Sequence, residues 1–336
     1  MKRARGLLLA LLLAAGAAGC TASELPESTP SMAPEVSQVE AEPYEIGLVQ
    51  YQESAAWNNL REAYMGRLEE WGCGEEQVVI NYQNAKGDPA AAEQICQDFV
   101  ENGTDMIVAI STPAAQAAME AASGTEVTVV VAGVTQEGGL NLNGKNAKAT
   151  GVMTPTAMKS LVDLARQANG SLTSLGLLYN PQEPDSKAAA EAAKAYAAQL
   201  GLEVLEQTPS SPEGVEQAMK DLCAQGVGAV LTPVDGTVAA SAAAAAQAAK
   251  DAKSPWYTED AAMVQAGALA SYSAAARELG ARAADMTVEL LEGRPVGELP
   301  AESISGDRLT VNQTTMEALS SVAIPPEVLQ GAYLCQ

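Results

Sequence analysis

Histidine is absent from the 336 residues, and Phe99 is the single phenylalanine. The first absence removes the side chain most used as a general base and metal ligand near neutral pH. Basic residues are scarce: 19 Lys and Arg stand against 42 Asp and Glu, a formal charge of −23, which becomes −26 without Lys2, Arg3 and Arg5. No basic patch is left to hold nucleic acid. A nucleophile elbow, a zinc spacing and a phosphate-binding loop are all missing, so an extracytoplasmic enzyme is a weak reading, and no cofactor or metal is expected. The apolar stretch near the start is too short to cross a membrane.

What is present begins with MKRARGLLLALLLAAGAAGC. A basic start, an apolar stretch from Leu7 to Ala15 and small residues up to Cys20 make an export signal over 1–19. Ala17, Ala18 and Gly19 before Cys20 resemble the bacterial lipobox, which makes Cys20 the expected lipidated (palmitate-bearing) first residue of a protein anchored on the outer face of the cell membrane. Residues 20–43 are rich in Pro, Ser and Glu and bury too little apolar surface to fold, as a tether would. Cys73, Cys96, Cys223 and Cys335 remain, and outside the cytoplasm an even number can form two disulfides. Cys73 and Cys96, flanking one expected strand and helix, are one candidate pair.

From Tyr44 the chain alternates apolar strands with alanine-rich helices, which predicts an α/β protein of two Rossmann-like lobes with parallel sheets joined by a hinge. The expected division is 44–152 plus 273–297 for the first lobe, and 153–272 plus 298–336 for the second. Asp105 to Met119 is the segment on which the reading turns. Met106–Ile110 reads as a buried strand, and Ser111-Thr112-Pro113 opens a helix with Thr112 as N-cap, an arrangement whose free N–H groups suit an anion. Ser-Thr-Pro is also an ordinary helix cap. The strand ends at Gln50-Tyr51, Gln83-Asn84, Ser111-Thr112 and Gly133-Val134-Thr135 are polar or small, as a cleft beyond the carboxyl ends of a parallel sheet requires. In the second half, Ala239–Lys250 lies within one expected helix, Val238–Lys250.

Several segments taken in order, INYQNAKGDPAAAEQI, DMIVAISTPAAQAA, GLLYNPQEPDS and YTEDAAMVQAGALASY, resemble the tryptophan/tyrosine-type substrate-binding lipoproteins of ABC transporters, a branch of the type I periplasmic-binding-protein fold. The likeness runs from about Glu45 to Pro325. It implies a monomeric receptor outside the cytoplasm that captures a small ligand, often an aromatic amino acid, and delivers it to ABC permease subunits. It also implies that the helix 274–291 packs on the first lobe and that 304–311 returns to the second. A sensory protein of the same fold is the alternative.

For an amino-acid ligand, Ser111, Thr112 and Thr135 are expected to receive the carboxylate, and Asp235, Glu259 and Asp260 to offer acceptors for the ammonium group. Asn180 and Thr237 complete the hydrogen bonds, and Tyr51 and Trp57 wall a side-chain pocket. Asp235 and Asp260 can equally cap helices. The chain departs from the family pattern at Glu53-Ser54-Ala55, where relatives carry His-Pro. It departs again at Asp235-Gly236-Thr237, where the usual Asn is missing, and at Ala276-Arg277, where relatives have paired tyrosines.

Overall fold

The computed structural model describes residues 42–135, 140, 142, 148–319 and 322–336. The expected signal, Cys20 and nearly all of the tether lie outside the described residues. In the first half the apolar runs form strands and the segments between them form helices. In order these are β1 (Tyr44–Gln50), α1 (Ala55–Glu70), β2 (Val78–Asn84), α2 (Pro89–Glu101), β3 (Met106–Ile110), α3 (Thr112–Ala121), β4 (Thr128–Thr135) and β5 (Ala149–Thr154). The chain then crosses to α4 (Met158–Ala168), β6 (Ser174–Leu178), α5 (Pro184–Gln199), β7 (Glu203–Gln207), α6 (Pro212–Ala224) and β8 (Val230–Thr232). There follow α7 (Gly236–Ala239), α8 (Ala242–Asp251), β9 (Trp256–Thr258), α9 (Ala261–Gln265) and β10 (Ala270–Ser273). It returns for α10 (Ala276–Leu291) and β11 (Glu302–Ser303), and ends with β12 (Arg308–Asn312), α11 (Gln313–Ala318), α12 (Pro326–Leu329) and β13 (Tyr333–Cys335).

Two sheets result. The first is ordered β11-β5-β4-β3-β1-β2 with every pairing parallel. The second is ordered β13-β12-β10-β9-β8-β6-β7, and β12 runs antiparallel to β10. β3 is buried along its whole length because helices cover both faces of its sheet. One face holds Leu60, Tyr64 and Leu68 of α1 with Leu279, Ala283 and Met286 of α10. The other holds Cys96 and Phe99 of α2 with Ala114, Ala115 and Ala118 of α3. Each fully buried Leu or Ile contributes about 1.5–3 kcal/mol. α1 and α10 touch at Gly280, where a Cβ would lie 2.2 Å from the Leu60 carbonyl oxygen.

Several details differ from the expectation. Cys73 and Cys96 are both buried free thiols; they sit in the clusters on opposite faces of the first sheet and cannot pair. The alanine run is two helices, broken where the Ser241 hydroxyl donates to the Pro212 carbonyl. β11 pairs with β5, so the third crossing follows Ser303 rather than preceding residue 298. The order β3-β1-β2 makes β1 and β3 neighbours whose following helices leave on opposite faces: α1 on one, α3 on the other. A gap between such helix starts is the place where doubly wound sheets take ligands.

Candidate ligand site between the lobes

All three crossings meet at one cleft. Its volume is about 550 Å³, and its lining includes Thr154–Ala157 of the first crossing, Ser273–Ala276 of the second and Gly306 of the third. The first lobe adds the start of α1 with Trp57 and Leu60, Gly133 and Thr135 of β4, and the start of α10. The second adds Asp185 and Ala189 of α5, Glu259, Asp260 and the start of α9, and Tyr272, Arg308 and Tyr333. The described residues include no group of three or more His, Cys, Asp or Glu able to hold a metal.

Trp57 takes its place through Gly133, which has φ +65 at a register shift in β4, and a Cβ there would lie 2.6 Å from the indole ring. With no side chain at 133, the half-buried ring lies on the strand and forms an apolar wall. Tyr272 and Tyr333 are the other aromatic residues of the cleft, and Tyr333 is 51% exposed at its mouth. The Arg308 guanidinium carbon lies 5.7 Å from the centroid of the Tyr333 ring, a cation–π contact.

The start of α3 is arranged differently from the expectation. Its N-cap is Ser111, not Thr112, with φ +85 and no side-chain cap bond. Ser111 Oγ is buried and has no hydrogen-bond partner among the described residues. It faces a separate narrow gap of about 20 Å³, lined also by Tyr51, Gln52, Glu183 and Asp185, with room for one water. Thr112 is fully buried, and its Oγ1 accepts from Thr135 N at 3.1 Å. Where a ligand carboxylate was expected, the carboxylate of Asp185 is found: Thr112 N donates to its Oδ2 at 3.3 Å and Thr135 Oγ1 to its Oδ1 at 2.8 Å. Burial raises the Asp185 pKa, the charge of Glu183 adds to this, and the threonine donors offset part of it. A second bond across the lobes runs from Gln52 Nε2 to Glu183 Oε2 at 3.1 Å.

The carboxylates of the second lobe separate by role. Asp235 is buried and caps α7 through Val238 N at 2.8 Å while accepting from Asn180 N and Ser186 Oγ at 2.6 Å each. Burial and the neighbouring Glu183 raise its pKa to about 6. Asn180 Nδ2 donates to Thr237 Oγ1, and Thr237 Oγ1 and N donate to Glu183 Oε1. Asn180, Asp235, Thr237 and Thr112 do not line the larger cleft. Tyr51 is directed away from it, its hydroxyl donating to the Gly87 carbonyl.

Glu259 and Asp260 do line the cleft. Glu259 Oε1 accepts from Thr156 Oγ1 at 2.6 Å and from Ala157 N, and so ties β9 to the first crossing. Asp260 Oδ1 caps α9 through Ala262 N at 2.8 Å, and Oδ2 accepts no hydrogen bond among the described residues. It is 7% exposed, and burial raises its pKa. A buried carboxylate with an open oxygen beside a cleft is suited to a cationic group. Sequence reasoning gives no role to Asp185, Glu183 or Gln52; the segment GLLYNPQEPDS, which contains the first two, is read for its family resemblance.

The missing amide at Gly236 has a counterpart in the opposite lobe. A Cβ at Gly236 would lie 2.3 Å from Gln52 Nε2, so the Gln52 amide occupies the room of the absent side chain. It bonds there to Glu183, which also accepts from Gly236 N at 2.8 Å.

A family model described as ABC transporter substrate binding protein matches residues 45–334. The tyrosine-binding protein of Clostridioides difficile (strain R20291) is 27% identical over 279 residues, which cover 82% of this chain and 80% of that one. A Streptococcus pneumonia ABC domain solved in complex with L-Trp is 27% identical with TM-score 0.78, over 87% of this chain and 99% of that one. A ligand-free, open substrate binding protein with adhesive properties from Clostridium difficile is 26% identical with TM-score 0.66, over 87% and 99%. At nearly equal identity and coverage, the chain superposes better on the complexed relative than on the open one, in keeping with its interlobe hydrogen bonds. The fold is that of type I periplasmic binding proteins, and these relatives are binding proteins rather than enzymes. The chain belongs to the ABC transporter substrate binding protein family.

Proposed function

We propose that the chain captures a free amino acid with an aromatic or similarly large apolar side chain in the interlobe cleft. It hands this ligand to an ABC permease, working as a monomer on the outer face of the membrane from a lipid on Cys20. The observation that carries the reading is the open Oδ2 of buried Asp260 in a cleft walled by Trp57 and Tyr272. An ammonium group meets the first, and an apolar side chain is shielded by the second. A volume of about 550 Å³ suits a small molecule of this size. Glu259 and Asp185 add negative potential around the ammonium position. Relatives that bind tyrosine and tryptophan support the ligand class.

Because a ligand that binds only the folded protein raises its thermal midpoint with concentration, a thermal-shift panel of the twenty amino acids tests this. L-Trp or L-Tyr is expected among the strongest stabilisers. No shift with any amino acid at millimolar concentration sinks the proposal.

A further inference from the structure

Two arginines of the cleft have no anionic partner among the described residues, in a chain with more than twice as many acids as bases. Arg67, Arg282 and Arg294 are in ion pairs, and Arg61 donates to Gln50 and Tyr82. Arg277 and Arg308 do neither among the described residues, although 42 acidic side chains are available to the chain. Arg308 instead lies over the ring of Tyr333 at the mouth of the cleft.

Arg277 stands at a position where a cation is unfavourable. It is the second residue of the sixteen-residue α10, whose partial positive charge at that end repels it. The cap residue Ala275 offers no side-chain acceptor, so the first N–H groups of the helix are not capped by it. Ala274 to Arg277 line the cleft. A guanidinium and a helix start thus add their positive potentials in one place, with Arg308 beside the same cavity. An anion in the cleft would complement these groups, alongside the solvent and the Glu278 side chain of the same first turn that already offset part of their charge.

The start of α3 is already satisfied from across the gap. Thr112 N and Thr135 Oγ1 hold the carboxylate of Asp185, which belongs to the protein itself. We infer that the ligand's carboxylate is received at the α10 side of the cleft by Arg277 and Arg308, while the α3 start serves as a latch between the lobes. This rests on the amino-acid reading above and gives it a direction: ammonium toward Asp260, carboxylate toward the arginines.

Calorimetric titration of the full chain with L-Trp and L-Tyr, and with tryptamine and tyramine, which lack the carboxylate, tests it. The parent protein should bind each acid at least about tenfold more tightly than its amine, as charge-assisted bonds to a carboxylate require. In the double variant Arg277→Ala, Arg308→Ala, the acid should weaken until the ratio approaches one, with amine binding little changed. Both side chains are exposed, so folding is not at stake. In Thr112→Val, Thr135→Val, acid and amine should shift by the same factor and keep their ratio. A ratio preserved in the arginine variant, or lost in the threonine variant, overturns the inference alone. A parent protein that binds neither amino acid overturns the functional reading together with it.

Discussion

Two of the helix starts that the first lobe turns toward the interlobe gap, those of α3 and α10, differ in state. At the start of α3, the backbone N–H of Thr112 and the hydroxyl of Thr135 are taken by Asp185 of the opposite lobe. At the start of α10, Arg277 has no hydrogen-bond or ion-pair partner among the described residues, and neither has Oδ2 of Asp260 across the cleft. The difference separates closing from binding. Groups that satisfy one another hold the lobes together, and groups left unsatisfied await a molecule that brings the complement.

The contrast can be broken most severely by moving one edge. Gly280→Val places carbon atoms against the backbone of α1, where even a Cβ would be 2.2 Å from the Leu60 carbonyl oxygen. Helices α1 and α10 must separate, and a loss of about 3 kcal/mol is expected in denaturant unfolding, with ligand binding lost as α10 shifts. The start of α3 lies on the other face and should keep its bonds.

A milder pair of variants sharpens the contrast. Asp260→Ala should weaken L-Trp or L-Tyr by about 30-fold in calorimetry, since a buried acceptor for a charged group is worth at least about 2 kcal/mol. It should leave the ligand-free lobes as they are. Asp185→Ala should do the reverse: a larger radius of gyration by X-ray scattering without ligand, and an affinity change below about tenfold. Equal effects of the two variants on both measurements would remove the distinction between latch and site.

The smallest effect concerns Glu183, whose charge acts on both Asp185 and Asp235. Asp235 keeps its proton up to about pH 6 in the folded protein, against 3.8 in the unfolded chain. The folded state therefore binds more protons in this window. The stabilisation is fully present below pH 3.8 and is lost as pH rises through about 6. Glu183→Gln should flatten this part of the stability curve, narrowing the change in thermal midpoint between pH 4 and 6 by about 2–4 °C. A profile unchanged in shape would show that Glu183 does not act on Asp235.

Much of the frame was legible in the sequence because it rests on local signals. Buried five-residue runs such as Met106–Ile110, capped helix starts such as Asp88-Pro89 and the strict alternation of strand and helix all act over short distances. The site was legible only in part. Glu259 and Asp260 lie beside the cleft as acidic strand ends can, but Asp235 turned out to be a cap bonded to Asn180 and Ser186. Asp185 escaped notice because its partners are 50 and 73 residues away, and nothing in Glu-Pro-Asp-Ser says which lobe the side chain will meet. Gly236 read as the loss of an amide, and only the fold shows Gln52 filling that room. The split of the alanine run at Ser241 was hidden for a similar reason: alanine propensity favours one helix, and a single bond to Pro212 ends it.

The order of strands carries a mechanical consequence. β5, which leads into the first crossing, is followed across the sheet by β4, β3 and β1, so Thr135, Thr112 and Gln52 lie one, two and three strands from it. At about 4.8 Å per strand, Gln52 acts at the end of an arm of roughly 14 Å, whereas the cleft sits at the fulcrum. A tilt of about 10° would then part Gln52 from Glu183 by roughly 2 Å while scarcely widening the bed of the ligand. A partner that prises at the β2 edge, beyond β1, would gain leverage over the grip before the cleft itself is disturbed.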